Sequence, residues 1–386
     1  MPVIRSGVQY SGKWNLQTQG QAVGANTWTG IATAELWGWG YNTSGQLGDG
    51  TTVNKSSPVQ VGGITWAKVN AGNVSSAAIK TDGTMWVWGS NSQGQLGDGT
   101  TVGKSSPIQV GALTTWSEVA GGVNNVLALK TDGTLWSWGR NSEGQLGLND
   151  QVNRSSPVQI GSYTTWSAIA SGGYHALAVK TDGTLWGFGY NFDGPLGQGN
   201  NTNYSSPIQV GALTTWLKVA CGKYHTLATK TDGTLWAWGK NTTGQIGDDT
   251  TTVRSSPVQV GALTTWYTCA GGEVFSASIK TDGTLWTWGG NQWGALGDGT
   301  TVDKSSPVQV GALTTWLQAE TGQFAMSAVK TDGTLWGWGY NNLGQLGDGS
   351  TVNKSSPVQI GALTTWGSVA TMTTARFAFG IFAGTT

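Results

Sequence analysis

Apolar and polar positions along this chain come in short runs, and the runs recur. Within residues 116–165, Trp116-Ser-Glu-Val-Ala leads to Gly121-Gly122 and then to the apolar run Val126-Leu-Ala-Leu-Lys130. That run is bounded by Gly and by Thr-Asp-Gly, so it predicts a strand packed on both sides. Asp132-Gly133 follows, a strong short-range hairpin signal because its turn needs a positive φ. Next comes Thr134-Leu-Trp136-Ser-Trp138-Gly139, whose two indoles are two residues apart and so point to one face. A Gly-punctuated loop over 141–147 ends at Arg154-Ser-Ser-Pro157. Val158-Gln159-Ile160 then alternates as an edge strand should, the one setting where Pro157 is tolerated. The unit therefore holds four short strands and no helical period.

The unit is copied. Lys-Thr-Asp-Gly-Thr blocks begin at Lys80, Lys130, Lys180, Lys230, Lys280 and Lys330, a constant step of 50 residues. A seventh Trp-x-Trp-Gly, Trp37 to Gly40, lacks that lead-in. Pro58 to Pro357 mark seven edge strands, and Trp66 to Trp366 mark seven unit boundaries. A fixed period of this size means a unit that cannot bury its apolar face alone and stacks on its neighbours. Four antiparallel strands taken seven times predict an all-β, seven-bladed β-propeller over residues 31–386. Residues 1–30 fit no repeat and form a separate leader. The first hairpin lacks its apolar entry strand, while Phe377-Ala-Phe379 stands at the offset of Leu127-Ala-Leu129. The C-terminal strand is thus expected to complete the first blade and close the ring, which leaves no edge exposed.

Composition narrows the function. Lys+Arg and Asp+Glu balance at 20 each, so no basic excess exists to meet a phosphate backbone, and a nucleic-acid partner is not expected. No apolar run in residues 1–13 makes a secretory signal, and no window reaches a membrane-spanning length. A cytoplasmic protein is expected, or a virion component if the gene belongs to a phage. Cys221 and Cys269 sit at different offsets and read as small buried hydrophobes, not as a disulfide or a metal pair.

Trp338-Gly-Tyr-Asn-Asn-Leu-Gly-Gln-Leu-Gly347 resembles the signature of the regulator of chromosome condensation repeat, and the match extends over all seven copies. The resemblance implies a seven-bladed propeller closed by its two termini. The founding member of that family is an exchange factor for a small GTPase that binds chromatin, through a loop elaboration and a charged face. The uniform step here leaves no room for such an insertion, and the family's His is kept only at His175 and His225. The leader, Gly12-Lys-Trp-Asn-Leu16 with the Trp-Gly repeats, resembles structural proteins of marine bacteriophages, which implies a docking role for Tyr10 and Trp14.

Sister copies show which positions vary. One variable slot follows Trp-Gly and holds Arg140, Tyr190 and Tyr340. A second lies in the next loop, where Trp293 and its neighbour Gln292 stand opposite Phe192 and Asp193 of another copy. A third follows Gly-Gly. Loops on a rigid scaffold are where binding resides. These seven residues form the candidate contact set for a protein partner or a glycan, with Trp293 expected to be exposed. The paired and boundary Trp are expected to be core. His175 and His225 lack a third ligand and read as hydrogen-bonded structural groups. The Gly-Asp-Gly loops at Asp49, Asp98, Asp298 and Asp348 lack the alternating oxygen ligands of a calcium loop and read as turns. No nucleophile–base pairing is built into the repeat, so no catalytic residue, metal or cofactor is expected. The expected function is a non-enzymatic structural or binding propeller, with a phage particle as its setting. An exchange-factor-like interaction module and a lectin are the alternatives.

Overall fold

The computed structural model describes residues 34–371 and 374–383. Each repeat folds as a four-stranded antiparallel sheet, and seven such sheets form the molecule. In the unit of residues 116–159 the strands are Trp116–Gly121, Asn125–Lys130, Leu135–Gly139 and Arg154–Gln159, paired in chain order. Residues of six first strands, from Asn70 and Glu118 round to Thr321, and Thr371 just after the seventh, surround one axial cavity of about 270 Å³. The first strands therefore line a shaft, and the fourth strands form the outer rim.

Burial follows from this order. Asn125–Lys130 is buried at every position, because both of its faces meet protein. The rim strand Arg154–Gln159 is only partly covered. Its register shifts between Arg154 and Val158, and Pro157 sits in that irregularity, where no ladder hydrogen bond is lost.

Tryptophan joins blade to blade. Trp138 is fully buried and meets Trp116 edge-on at 5.9 Å. Its Nε1 donates to the Gln95 carbonyl of the preceding blade at 3.1 Å. Gly97 (φ +68°) lies against this ring, and a Cβ there would fall 2.7 Å from Trp138 Nε1. The Gly-Gln-Leu-Gly loop is thus the seat of the next blade's indole. A fully buried Trp removes about 200 Å² from water, on the order of 5 kcal/mol before chain entropy is charged against it. Trp136, on the same strand, is half-buried and covers the outer side of Trp116 at 6.1 Å.

The Asp-Gly hairpins differ in detail from the expectation. Only the glycine is left-handed, Gly133 at φ +77°. Asp132 keeps ordinary φ and accepts from the Thr134 N–H and hydroxyl at 2.9 and 2.6 Å. Gly133 N–H donates to Lys130 O and closes a four-residue turn, so Asp acts as a local acceptor.

The ring closes as expected. Ala34–Gly40 pairs antiparallel with Phe377–Ala383 from Ala34↔Ala383 to Gly40↔Phe377. The composite sheet runs Lys55–Ile64, Ala34–Gly40, Phe377–Ala383, Trp366–Ala370. Phe379 then packs edge-on against Trp88 of the following blade at 5.7 Å. Residues 1–30, with Tyr10 and Trp14, lie outside the described residues.

Candidate functional site

The strand order sends every connection to one of two faces. Links between strands two and three, and between one blade and the next, emerge on one face. That face is nearly the same in the six blades other than the composite one. Its turns repeat one hydrogen-bonded unit: Trp136 Nε1 donates to Thr134 Oγ1 at 2.8 Å, with the Lys130 ammonium 3.6 Å from the Trp136 ring centre. The Thr134 bonds hold the Asp132 carboxyl below its usual range. Links between strands one and two, and between three and four, emerge on the opposite face. All three variable slots lie there.

Two aromatic groups occupy this variable face. In the first, Tyr174 and Tyr224 of adjacent blades stack at 6.0 Å, and Tyr190 leans on both at 6.3 and 5.6 Å. Arg140 lies 5.3 Å from the Tyr174 ring centre, and Lys240 lies 5.3 Å from that of Tyr224. Lys223 pairs with Glu273 at 2.7 Å. Burial alone would lower the Lys223 pKa; the Glu273 bond and charge override it and leave it raised. The Tyr190 hydroxyl donates to Asp193 at 3.3 Å. Burial first, and Asp193 second, push its pKa well above the usual phenol value. Phe192, from the same loop, is 68% exposed.

The second group is Trp293, Tyr340 and Phe324. Trp293 lies 4.9 Å from Tyr340, which meets Phe324 edge-on at 6.3 Å. Trp293 is therefore half-buried, not exposed as its polar sister positions implied. The reason is local: the next blade carries an aromatic at its Trp-Gly slot, and the indole folds over it. Gln292 beside it is exposed. The candidate set thus divides, with Arg140, Tyr190, Phe192 and Asp193 in one group and Gln292, Trp293 and Tyr340 in the other.

Sequence reasoning missed Tyr174, Tyr224 and Phe324 as members. The signal was present: all three share one slot of their copies, just before the second strand, where other copies hold Val74, Asn124 and Val274. The third variable slot and its neighbours ring the axial mouth. A cavity of about 310 Å³ opens there, lined in part by Tyr41, Asn73, Tyr174, Lys223, Gln323 and Arg376.

The remaining candidates are structural. His175 and His225 are fully buried, with Nε2 3.0 Å from Thr226 Oγ1 and 2.9 Å from Ser276 Oγ of the next blade. Burial lowers both to about 3, so both are neutral. Asp49 Oδ1 accepts from Thr51 N–H and Asn42 Nδ2 at 3.0 Å each, which makes its loop a turn. Cys221 and Cys269 are free thiols beside the shaft, the first buried and the second half-buried, and burial raises both pKa values. In the same shaft Glu320 is raised to about 7 by burial, opposed by a 3.1 Å bond from Gln318. Among the described residues no cluster of three His, Cys, Asp or Glu could hold a metal ion. No helix among them is long and apolar enough to cross a membrane.

The regulator of chromosome condensation (RCC1) repeat matches residues 34–79, 82–129, 132–179, 182–229, 232–279, 282–329 and 332–371. The chain belongs to the RCC1 repeat family. No curated protein sequence matches it. Among solved structures, human WBSCR16 superposes with a TM-score of 0.82 at 21% identity, covering 92% of this chain and 100% of that one. Prp20p of Saccharomyces cerevisiae, characterised for its binding to Gsp1p and histones, gives 0.82 at 19% identity, with 95% of each chain covered. Yeast RCC1 (Prp20) bound to Kap60 gives 0.81 at 17% identity, covering 100% of this chain and 97% of that one. At these identities the likeness concerns the fold.

Proposed function

We propose that this protein is a non-enzymatic protein-binding propeller whose loop face, centred on Tyr174, Tyr190 and Tyr224, is the contact surface. One observation carries the reading: differences between blades gather on that face, while on the opposite face six of the seven blades repeat one unit. Tyr and Arg in contact, with an exposed Phe192 beside them, match the composition of interface centres. The partners named for Prp20p and for yeast RCC1 are proteins, which supports the same class of ligand. A small GTPase is one such partner, and a nucleotide-release assay tests exchange directly. The glycan reading rested on the aromatic loops, of which Trp293 is half-buried against Tyr340, and gains nothing from the relatives found. The virion reading rested on the leader and gains nothing from the relatives found.

The test is affinity capture from the source cells with three versions of the chain. Proteins retained by the wild type should be lost from a Tyr190→Ala, Phe192→Ala, Tyr224→Ala variant. They should be kept by a Leu213→Ala, Leu263→Ala variant of the uniform face. The reverse pattern contradicts the proposal.

A further inference from the structure

The mouth of the shaft on the loop face differs from the rest of that face. Its cavity of about 310 Å³ has the size of one or two amino-acid side chains. Its lining carries two cations, Lys223 and Arg376, and no carboxylate. They come from different parts of the chain: Lys223 from the fourth complete blade, Arg376 from the terminal segment that closes the ring. Arg376 is exposed, and its Nε donates to Gln323 of the neighbouring blade. That bond fixes the plane of the guanidinium and uses its inner edge. The two terminal nitrogens of the fork make the bidentate pattern that a planar carboxylate accepts. Lys223 offers three donors, one of which goes to Glu273, itself outside the lining. The Asn73 and Gln323 amides and the Tyr41 and Tyr174 rings complete the wall with neutral donors and apolar sides.

This constellation is independent of the repeat. Where the terminal segment places Arg376, the other blades hold Val74, Asn124, Tyr174, Tyr224, Val274 and Phe324. Lys223 stands where other copies hold Asn73, Val123, Gly173, Glu273 and Gln323. The frame does not require a cation at either slot. A chain with no net charge and only 10% charged residues nevertheless places one at each, on the wall of the same cavity.

We propose that the axial mouth is a carboxylate-binding site that takes an acidic side chain presented by a protein partner, with Arg376 as the bidentate clamp and Lys223 as the second cation. The inference rests on the loop face being the contact surface and names the chemistry at its centre. Tyr174 belongs both to the wall of the mouth and to the aromatic group, so one partner segment can engage both at once.

The test uses the full chain and a fluorescein-labelled hexaglutamate peptide as probe, read by anisotropy at low and near-physiological salt. The peptide should bind, more weakly as salt rises. Arg376→Gln, which keeps a donor for Gln323, and Lys223→Gln should each weaken binding about tenfold or more. Lys354→Gln on the outer rim makes the same charge change and should alter it less than about twofold. Thermal melts of each variant separate lost binding from lost folding, and the two cations sit on separate segments, so one unstable variant leaves the other informative. Absence of peptide binding at millimolar concentration overturns the proposal. So does equal weakening by Lys354→Gln. Citrate that binds as tightly as the peptide, with the same dependence on Arg376, overturns the protein-borne source and leaves a site for free small carboxylates. If the peptide fails while capture still depends on Tyr190, Phe192 and Tyr224, the contact surface stands and this site does not.

Discussion

At the scale of single residues, the buried histidines report how closely the blades are joined. Each sits where another blade uses Asn125, Ser75 or Phe275, opposite the third-strand glycine, and each bonds a hydroxyl of the following blade. Burial holds both near a pKa of about 3, whereas the unfolded chain has the ordinary value of 6.5. Below pH 6.5 the unfolded state takes up protons at these positions and the folded state does not. Stability therefore falls as pH drops from about 6.5 towards 3, by up to about 1.4 kcal/mol per pH unit for each histidine. Glu320, raised to about 7, acts with the opposite sign between about 7 and its ordinary value of 4.5. A His175→Asn, His225→Asn variant leaves Glu320 in place. Its denaturation free energy should lose roughly 2–3 kcal/mol per pH unit of slope between about pH 6 and 4 relative to wild type. An unchanged slope would show that the two rings are not buried as described.

At the scale of elements, the strand–turn–strand grammar was largely readable, because each signal is local. Apolar runs, Asp-Gly turns and edge prolines all act within a few residues of themselves. The asparagine that organises each long loop was not read, because its partners look like ordinary loop residues. Asn241 shows the device: its Nδ2 donates to Asp248 Oδ1 and to the carbonyls of Thr250 and Thr252 at 3.2, 3.0 and 3.0 Å, while its Oδ1 accepts from Ile246 N–H at 2.9 Å. Asn241→Ala leaves the buried Ile246 N–H without its partner, removes three further loop bonds, and should cost about 2–4 kcal/mol. Limited proteolysis should then cut first within residues 240–253, and a variant as resistant as wild type would contradict the assignment. The site was only half legible for a related reason. Arg140, Tyr190 and Asp193 stood out as differences between copies in two slots, but the rings of Tyr174 and Tyr224 come from other loops. Tyr174 and Tyr224 are 50 residues apart and touch only because adjacent blades place the same slot side by side. Trp293 was misjudged by the same logic: its cover, Tyr340, belongs to the next blade.

At the scale of the whole molecule, closure turns seven weak units into one ring. Six blades give an indole, and the blade holding Leu185–Gly189 gives Phe188, to the preceding blade's loop, so the composite blade must be complete for both neighbours to be seated. Trp39 Nε1 reaches the Gln345 carbonyl at 3.1 Å, and Trp88 Nε1 reaches that of Gln46 at 2.8 Å. Removing residues 375–386 takes away the strand that pairs with Ala34–Gly40 and uncovers both edges. The truncated chain should melt at lower temperature and self-associate in sedimentation. A monomer with unchanged melting would refute closure by the terminal strand. The same removal deletes Arg376, which ties the axial mouth to the integrity of the ring.

A closed frame with one uniform and one varied face makes a demand that a single experiment can meet. A photo-crosslinking amino acid placed at Phe192 on the loop face, or at Leu213 on the opposite face, reports in the source cells which surface is occupied. The account predicts discrete crosslinked proteins from position 192, lost on Tyr190→Ala with Tyr224→Ala, and none shared with position 213. The same adducts from both positions, or adducts from position 213 alone, would contradict it.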